Sequence, residues 1–101
     1  MYLAMNRFQI ARGQEQAFIE LWRQRDSQLA SVPGFVRFHL LQGPQTETAT
    51  LFASYTEWTS EDAFIAWTQS EAFRKAHEHA GQSSRDMYLG PPQLERFQAV
   101  L

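Results

Sequence analysis

Asn6, Trp67 and His77 are the residues of this chain whose types exceed what a small core requires. Trp67 closes the run Ala63-Phe64-Ile65-Ala66-Trp67. His77 closes the run Ser70-Glu71-Ala72-Phe73-Arg74-Lys75-Ala76-His77, ten residues further on. Both runs read as short helices. A neutral imidazole is a common ligand for transition metals. Emerging from an apolar helix face beside a large indole, with Phe64 and Phe73 as neighbours, such an imidazole could hold a flat iron porphyrin.

The spacing alone does not bring the pair together. On one continuous helix the two residues would be about 15 Å apart and about 80° out of line. Gln69-Ser70-Glu71 interrupts the pattern, and a bend there lets both rings face one cavity. His77 follows Phe73 by one turn and so lies on the apolar face, whereas His79 is rotated about 200° further and belongs in solvent. His39 falls mid-strand, at a prospective subunit interface. The plainer alternatives are a core histidine bonded to backbone and a packed core indole. Asn6 is the odd member of an apolar strand face. A buried amide without partners costs about 1–3 kcal/mol, so Asn6 either bonds neighbouring backbone or aims at a polar atom of a ligand, such as iron-bound dioxygen.

The elements that must position these residues follow from periodicity. Tyr2 to Ile10 alternates as a strand, with Tyr2, Ala4, Asn6, Phe8 and Ile10 on one face. Gln14 to Ala30 reads as a helix with the stripe Phe18, Leu21, Trp22, Arg25 and Leu29, stopped at Val32-Pro33-Gly34. Phe35 to Gln42 and Thr48 to Trp58 read as a hairpin about the turn-rich Gly43-Pro44-Gln45-Thr46-Glu47. Thr59-Ser60-Glu61-Asp62 is a helix start, with a hydroxyl cap and acids in the first turn, and Ser70-Glu71 is another. Ala80-Gly81 ends the helical region, Gln82 to Pro92 is a loop, and Gln93 to Leu101 is a last strand. The order β-α-β-β-α-β predicts an α+β, ferredoxin-like split βαβ domain spanning 1–101.

Composition narrows the function classes. The chain has 101 residues, 44% hydrophobic and 20% charged, as expected of one ordinary globular domain. Eight Phe, three Tyr and three Trp are more rings than one small core needs, so some should line a pocket or an interface. A net charge of −2 with scattered basic residues argues against a nucleic-acid groove. The lack of cysteine removes disulfides, thiolate catalysis, Cys-ligated zinc and iron–sulfur clusters. No signal-like or membrane-spanning run is present, so the expectation is a cytoplasmic protein with no membrane partner. Strands with apolar residues on both faces leave one sheet face uncovered. The expected solution is a homodimer in which two sheets form a shared barrel.

The segments Asn6-Arg7-Phe8, Trp58 to Trp67 and Ser70 to His79 resemble the IsdG-type haem-degrading monooxygenases, within the wider antibiotic-biosynthesis-monooxygenase-like superfamily of dimeric α+β barrels. The resemblance implies that His77 is the axial ligand of the haem iron, that Asn6 bonds the distal ligand and that Trp67 presses on the porphyrin. Asn6, Phe64, Trp67, Phe73 and His77 would then contact haem, which is both cofactor and substrate. O2 would be the oxidant, with electrons from an external reductase or small reductant. Ruffling of the macrocycle would be the protein's lever. Arg25 and Arg85 are candidate propionate partners on charge alone. Two alternatives stand beside this reading. One is a cofactor-independent monooxygenase of aromatic polyketides or quinols, with His77 as a general base or core residue. The other is a non-catalytic haem-binding or trafficking protein.

Overall fold

The computed structural model describes residues 1–25, 29–77 and 85–101, and of residues 75–77 and 85 only the backbone. Strand β1 runs Tyr2–Ala11, helix α1 Glu15–Arg23, strand β2 Phe35–Gln45 and strand β3 Ala49–Trp58. Helices α2 (Glu61–Thr68) and α3 (Glu71–His77) follow, and strand β4 spans Gln93–Gln98. The strands form one antiparallel sheet in the order β2-β3-β1-β4. This is the expected α+β, ferredoxin-like arrangement, with the second helical region in two pieces. Among the described residues no helix is long and apolar enough to cross a membrane.

Alternation sorts the sheet into two faces. Toward the helices point Tyr2, Ala4, Asn6, Phe8 and Ile10 of β1, paired in register with Trp58, Thr56, Ser54, Phe52 and Thr50 of β3. Two buried clusters form on this face. One gathers Tyr2, Ala4, Leu29, Trp58, Phe64 and Trp67 under α2; the other gathers Phe8, Ile10, Phe18, Phe52 and Met87 under α1. Between them lies the row that carries Asn6 and Ser54. The opposite face presents Leu3, Met5, Leu41, Tyr55 and Phe97, and no element among the described residues covers it; Leu41 and Phe97 are 42% and 46% exposed.

The boundaries correct the sequence reading in four places. α1 stops at Arg23 rather than Ala30, with the Gln24 N–H donating to Glu20 O at 3.1 Å and the Arg25 N–H to Trp22 O at 3.2 Å. Gln24 to Gln28 contains no apolar residue, and short helices persist mainly by packing an apolar face. Leu21, expected in the buried stripe, is 39% exposed, and Leu29 is buried from a separate 3-10 turn, Leu29–Ser31. Gly43-Pro44-Gln45, expected in a turn, continues β2 across a register irregularity between Gln42 and Gln45. β4 ends at Gln98 rather than Leu101.

Gly34 makes the junction between β2 and α2 possible. Its φ of +83° is a conformation that side chains disfavour, and a Cβ there would lie 2.4 Å from the Ala63 Cβ. The Gly34 carbonyl accepts from the Thr59 N–H at 2.8 Å, which sets the start of α2 close against the hairpin.

Candidate functional site

A cavity of about 310 Å³ opens between the helices and the middle of the sheet. Its floor is β1 and β3 at Ala4, Asn6, Ser54 and Thr56, and its walls include Phe64, Trp67 and Phe73 on one side and Trp22, Arg25 and Phe38 on the other. Four residues singled out in the sequence, Asn6, Phe64, Trp67 and Phe73, therefore border one space. His77 ends α3; its imidazole lies outside the described residues, as do His79 and the side chain of Arg85. His39 stands on the opposite sheet face, with its ring 5.8 Å from that of Tyr55, and is remote from this floor.

Local sequence fixes the aromatic wall. The Ser60 side chain accepts from the Ala63 N–H at 3.1 Å and starts α2, so that Phe64 and Trp67 fall on its buried side. Arg96 of β4 bonds Glu61 at 3.1 Å and lies over the Phe64 ring at 5.2 Å, tying the first turn of α2 to the sheet edge. The bend between α2 and α3 is held by one hydroxyl. Ser70 Oγ donates to Trp67 O at 2.6 Å and accepts from the Phe73 N–H at 3.1 Å. Its two bonds close one helix and cap the next, which brings the rings of Trp67 and Phe73 edge to face at 4.8 Å and 85°. Trp58 backs Trp67 at 5.4 Å.

The facing wall carries the cation. Trp22 stacks on Phe38 at 5.6 Å and 21°, and the Arg25 guanidinium lies 4.4 Å over Trp22. Because α1 has already ended, Arg25 is freed from the helical stripe to which the periodicity assigned it. Burial lowers the Arg25 pKa, as expected for a charge drawn partly out of water. Arg25 is the one charged side chain on the cavity wall among the described residues.

The floor has a polar centre. Across the sheet the row reads Leu40, Ser54, Asn6, Leu94, from β2 to β4. Thr56, one row away, donates to Ala4 O at 3.1 Å. Neither Asn6 nor Ser54 makes a side-chain hydrogen bond among the described residues. The sequence reading found Asn6 because an amide is conspicuous in an apolar strand. It missed Ser54, since a hydroxyl between Thr50 and Thr56 looks ordinary in a β-strand, and only its pairing partner marks it. The sequence reading places Trp22 in the buried helical stripe and not on a wall, and it does not single out Phe38.

Walls of aromatic rings, a polar floor and a cation at one side suit a flat, largely apolar molecule that carries an acidic group. The antibiotic biosynthesis monooxygenase family model matches residues 1–79. A curated relative, "Heme-degrading monooxygenase" of Bacillus thuringiensis, is 28% identical over 81 residues, 80% of this chain and 75% of its own length. Among solved structures, the heme-degrader MhuD of Mycobacterium tuberculosis, with two hemes bound in its active site, is 27% identical, with a TM-score of 0.72 over 100% of this chain and 97% of its own. An antibiotic biosynthesis monooxygenase-type structure from Bacillus cereus matches at a TM-score of 0.76 and 16% identity, covering 99% of this chain and 93% of its own, a likeness of fold. The chain belongs to the antibiotic biosynthesis monooxygenase family, and those of its relatives that resemble it in sequence over most of its length include proteins named for haem degradation.

Proposed function

We propose that this chain is a haem-degrading monooxygenase. It binds haem in the cavity through His77 and, with O2 and electrons from an external reductase or small reductant, cleaves it to a linear tetrapyrrole with release of iron. The observation that carries the reading is the convergence of Asn6, Phe64, Trp67 and Phe73 on one aromatic-walled cavity with a single cationic wall residue. The sequence likeness to haem-degrading proteins supports it.

Each residue has a task its chemistry suits. His77 would supply a ring nitrogen to the iron, the role imidazole commonly takes toward transition metals. Trp67, backed by Trp58 and flanked by Phe73, is a stiff ring that can press on a flat macrocycle and push it out of plane. The Asn6 amide donates to the oxygen end of a ligand on the sheet side. Arg25 pairs with a propionate carboxylate, in a partly buried position where charge pairing is stronger than in bulk water. When bound, haem supplies both the iron that activates O2 and the carbon positions that are oxidised. Residues 1–101 act as one domain, and the apolar sheet face bearing Leu41 and Phe97 pairs with a second copy to make a homodimer.

Haemin titrated into the protein, followed by ascorbate in air with catalase present, tests the reading. The expected result is a Soret band that grows on titration and then disappears as tetrapyrrole absorbance replaces it. A Soret band that persists under reductant and air would make the protein a haem-binding module. No Soret band at all would favour cofactor-independent oxidation of an aromatic substrate in the same fold.

A further inference from the structure

Three hydroxyl residues, Thr50, Ser54 and Thr56, lie on the helix-facing side of β3. Two of them are committed: Thr50 donates to Glu15 at 2.8 Å and Thr56 to Ala4 O at 3.1 Å. Ser54 is 9% exposed and makes no side-chain hydrogen bond among the described residues, yet it borders the cavity. Its hydroxyl is not sealed in the core but opens on the cavity, flanked in its row by Leu40 and Leu94, so it can donate to a bound molecule without breaking a bond within the chain. Its neighbour across the strand is Asn6, half-buried, which also borders the cavity and makes no side-chain hydrogen bond among the described residues. Directly paired residues on one sheet face have Cβ atoms about 4.5–5.5 Å apart, so two such side chains can reach one atom above them.

We propose that Ser54 is a second positioning residue of the cavity, its hydroxyl and the Asn6 amide jointly donating to the outer atom of a small, electron-rich ligand such as dioxygen or an inorganic anion on the iron. The inference rests on the haem reading above and adds to it the residue that shares the work of Asn6. A hydroxyl and an amide together offer two donors of different reach, and a terminal atom carrying negative charge accepts both more strongly than a neutral one. The leucines on either side exclude competing polar contacts in the same row. The pair therefore selects for ligands that place negative charge on their outer atom, and contributes little to holding the porphyrin itself.

The test separates these two affinities. Haemin is titrated into wild type, Ser54→Ala, Ser54→Cys, Ser54→Thr and Asn6→Ala, and each ferric complex is then titrated with azide. Ser54→Ala should weaken azide about ten-fold while haemin affinity stays within about two-fold, the size of one net hydrogen bond to a charged acceptor. Ser54→Cys, close in volume and a weak donor, should show the same loss, which removes cavity formation as the cause. Ser54→Thr should retain azide affinity. The Asn6→Ala/Ser54→Ala pair should be non-additive, as expected of groups that share one acceptor. Azide affinity unchanged in both Ser54→Ala and Ser54→Cys would overturn the proposal and leave the haem reading standing. Equal losses of haemin and azide affinity would make Ser54 merely structural and overturn it as well. Failure of the wild-type protein to take up haemin would bring down the haem reading and this inference together.

Discussion

Trp67 is braced before any ligand arrives, with Trp58 at 5.4 Å on one side and Phe73 edge-on at 4.8 Å. Truncation to Ala should therefore cost about 3–5 kcal/mol of stability, seen in urea unfolding, besides abolishing haem turnover. Trp67→Phe should keep the fold and slow turnover, which separates the ring's mechanical role from its packing. Asn6 carries no such structural burden, so Asn6→Ala should leave thermal stability nearly unchanged and lower turnover by about ten-fold or more. A titration belongs at this scale too. The Thr50 hydroxyl is the main cause of a lowered Glu15 pKa. A depressed carboxylate contributes stability that is present above its ordinary value and lost as pH falls through the lowered one. Thr50→Val should move the Glu15 carboxyl resonance midpoint upward in an NMR titration. Asn6 and Trp67, which border the cavity, stood out in the sequence as an amide in an apolar strand and a large ring closing an apolar run, whereas the imidazole of His77 lies outside the described residues. Ser54 and Arg25 were less legible: a serine in a strand signals nothing, and Arg25 enters the wall only because α1 ends two residues before it.

The joint between α2 and α3 was readable as an interruption at Gln69-Ser70, but its mechanism was not. One hydroxyl bonds both helices, and that requires Trp67 O and the Phe73 N–H to approach the same atom. Ser70→Ala should cost about 1 kcal/mol, in line with the loss of an N-cap, and should weaken haemin binding because the two rings lose their fixed angle. The Pro33-Gly34 turn was equally legible as a stop signal, whereas the close approach of Gly34 to Ala63 was a matter of tertiary contact. Gly34→Ala should lower stability by about 2 kcal/mol or more through strain and overlap, read as a fall in melting temperature of roughly 8 °C. Element order and facing residues followed from period-two and helical patterns. Ends did not, because α1 and β2 stop or continue according to packing and pairing that lie far away in sequence.

At the scale of the molecule the sheet is used on both sides: one face floors the cavity, and the other presents Leu41 and Phe97 to whatever meets it. If a second copy covers it, the protein should sediment as a dimer, and Leu41→Glu combined with Phe97→Glu should shift it to a monomer by analytical ultracentrifugation. The central claim, that this cavity breaks haem on the His77 ligand, is tested most directly by iron release. One equivalent of haemin per chain is incubated with ascorbate in air, and freed ferrous iron is captured by a colorimetric chelator. The account predicts near-stoichiometric iron from the wild-type protein and from His39→Ala, and essentially none from His77→Ala. Undiminished release from His77→Ala, or release abolished by His39→Ala instead, would contradict it.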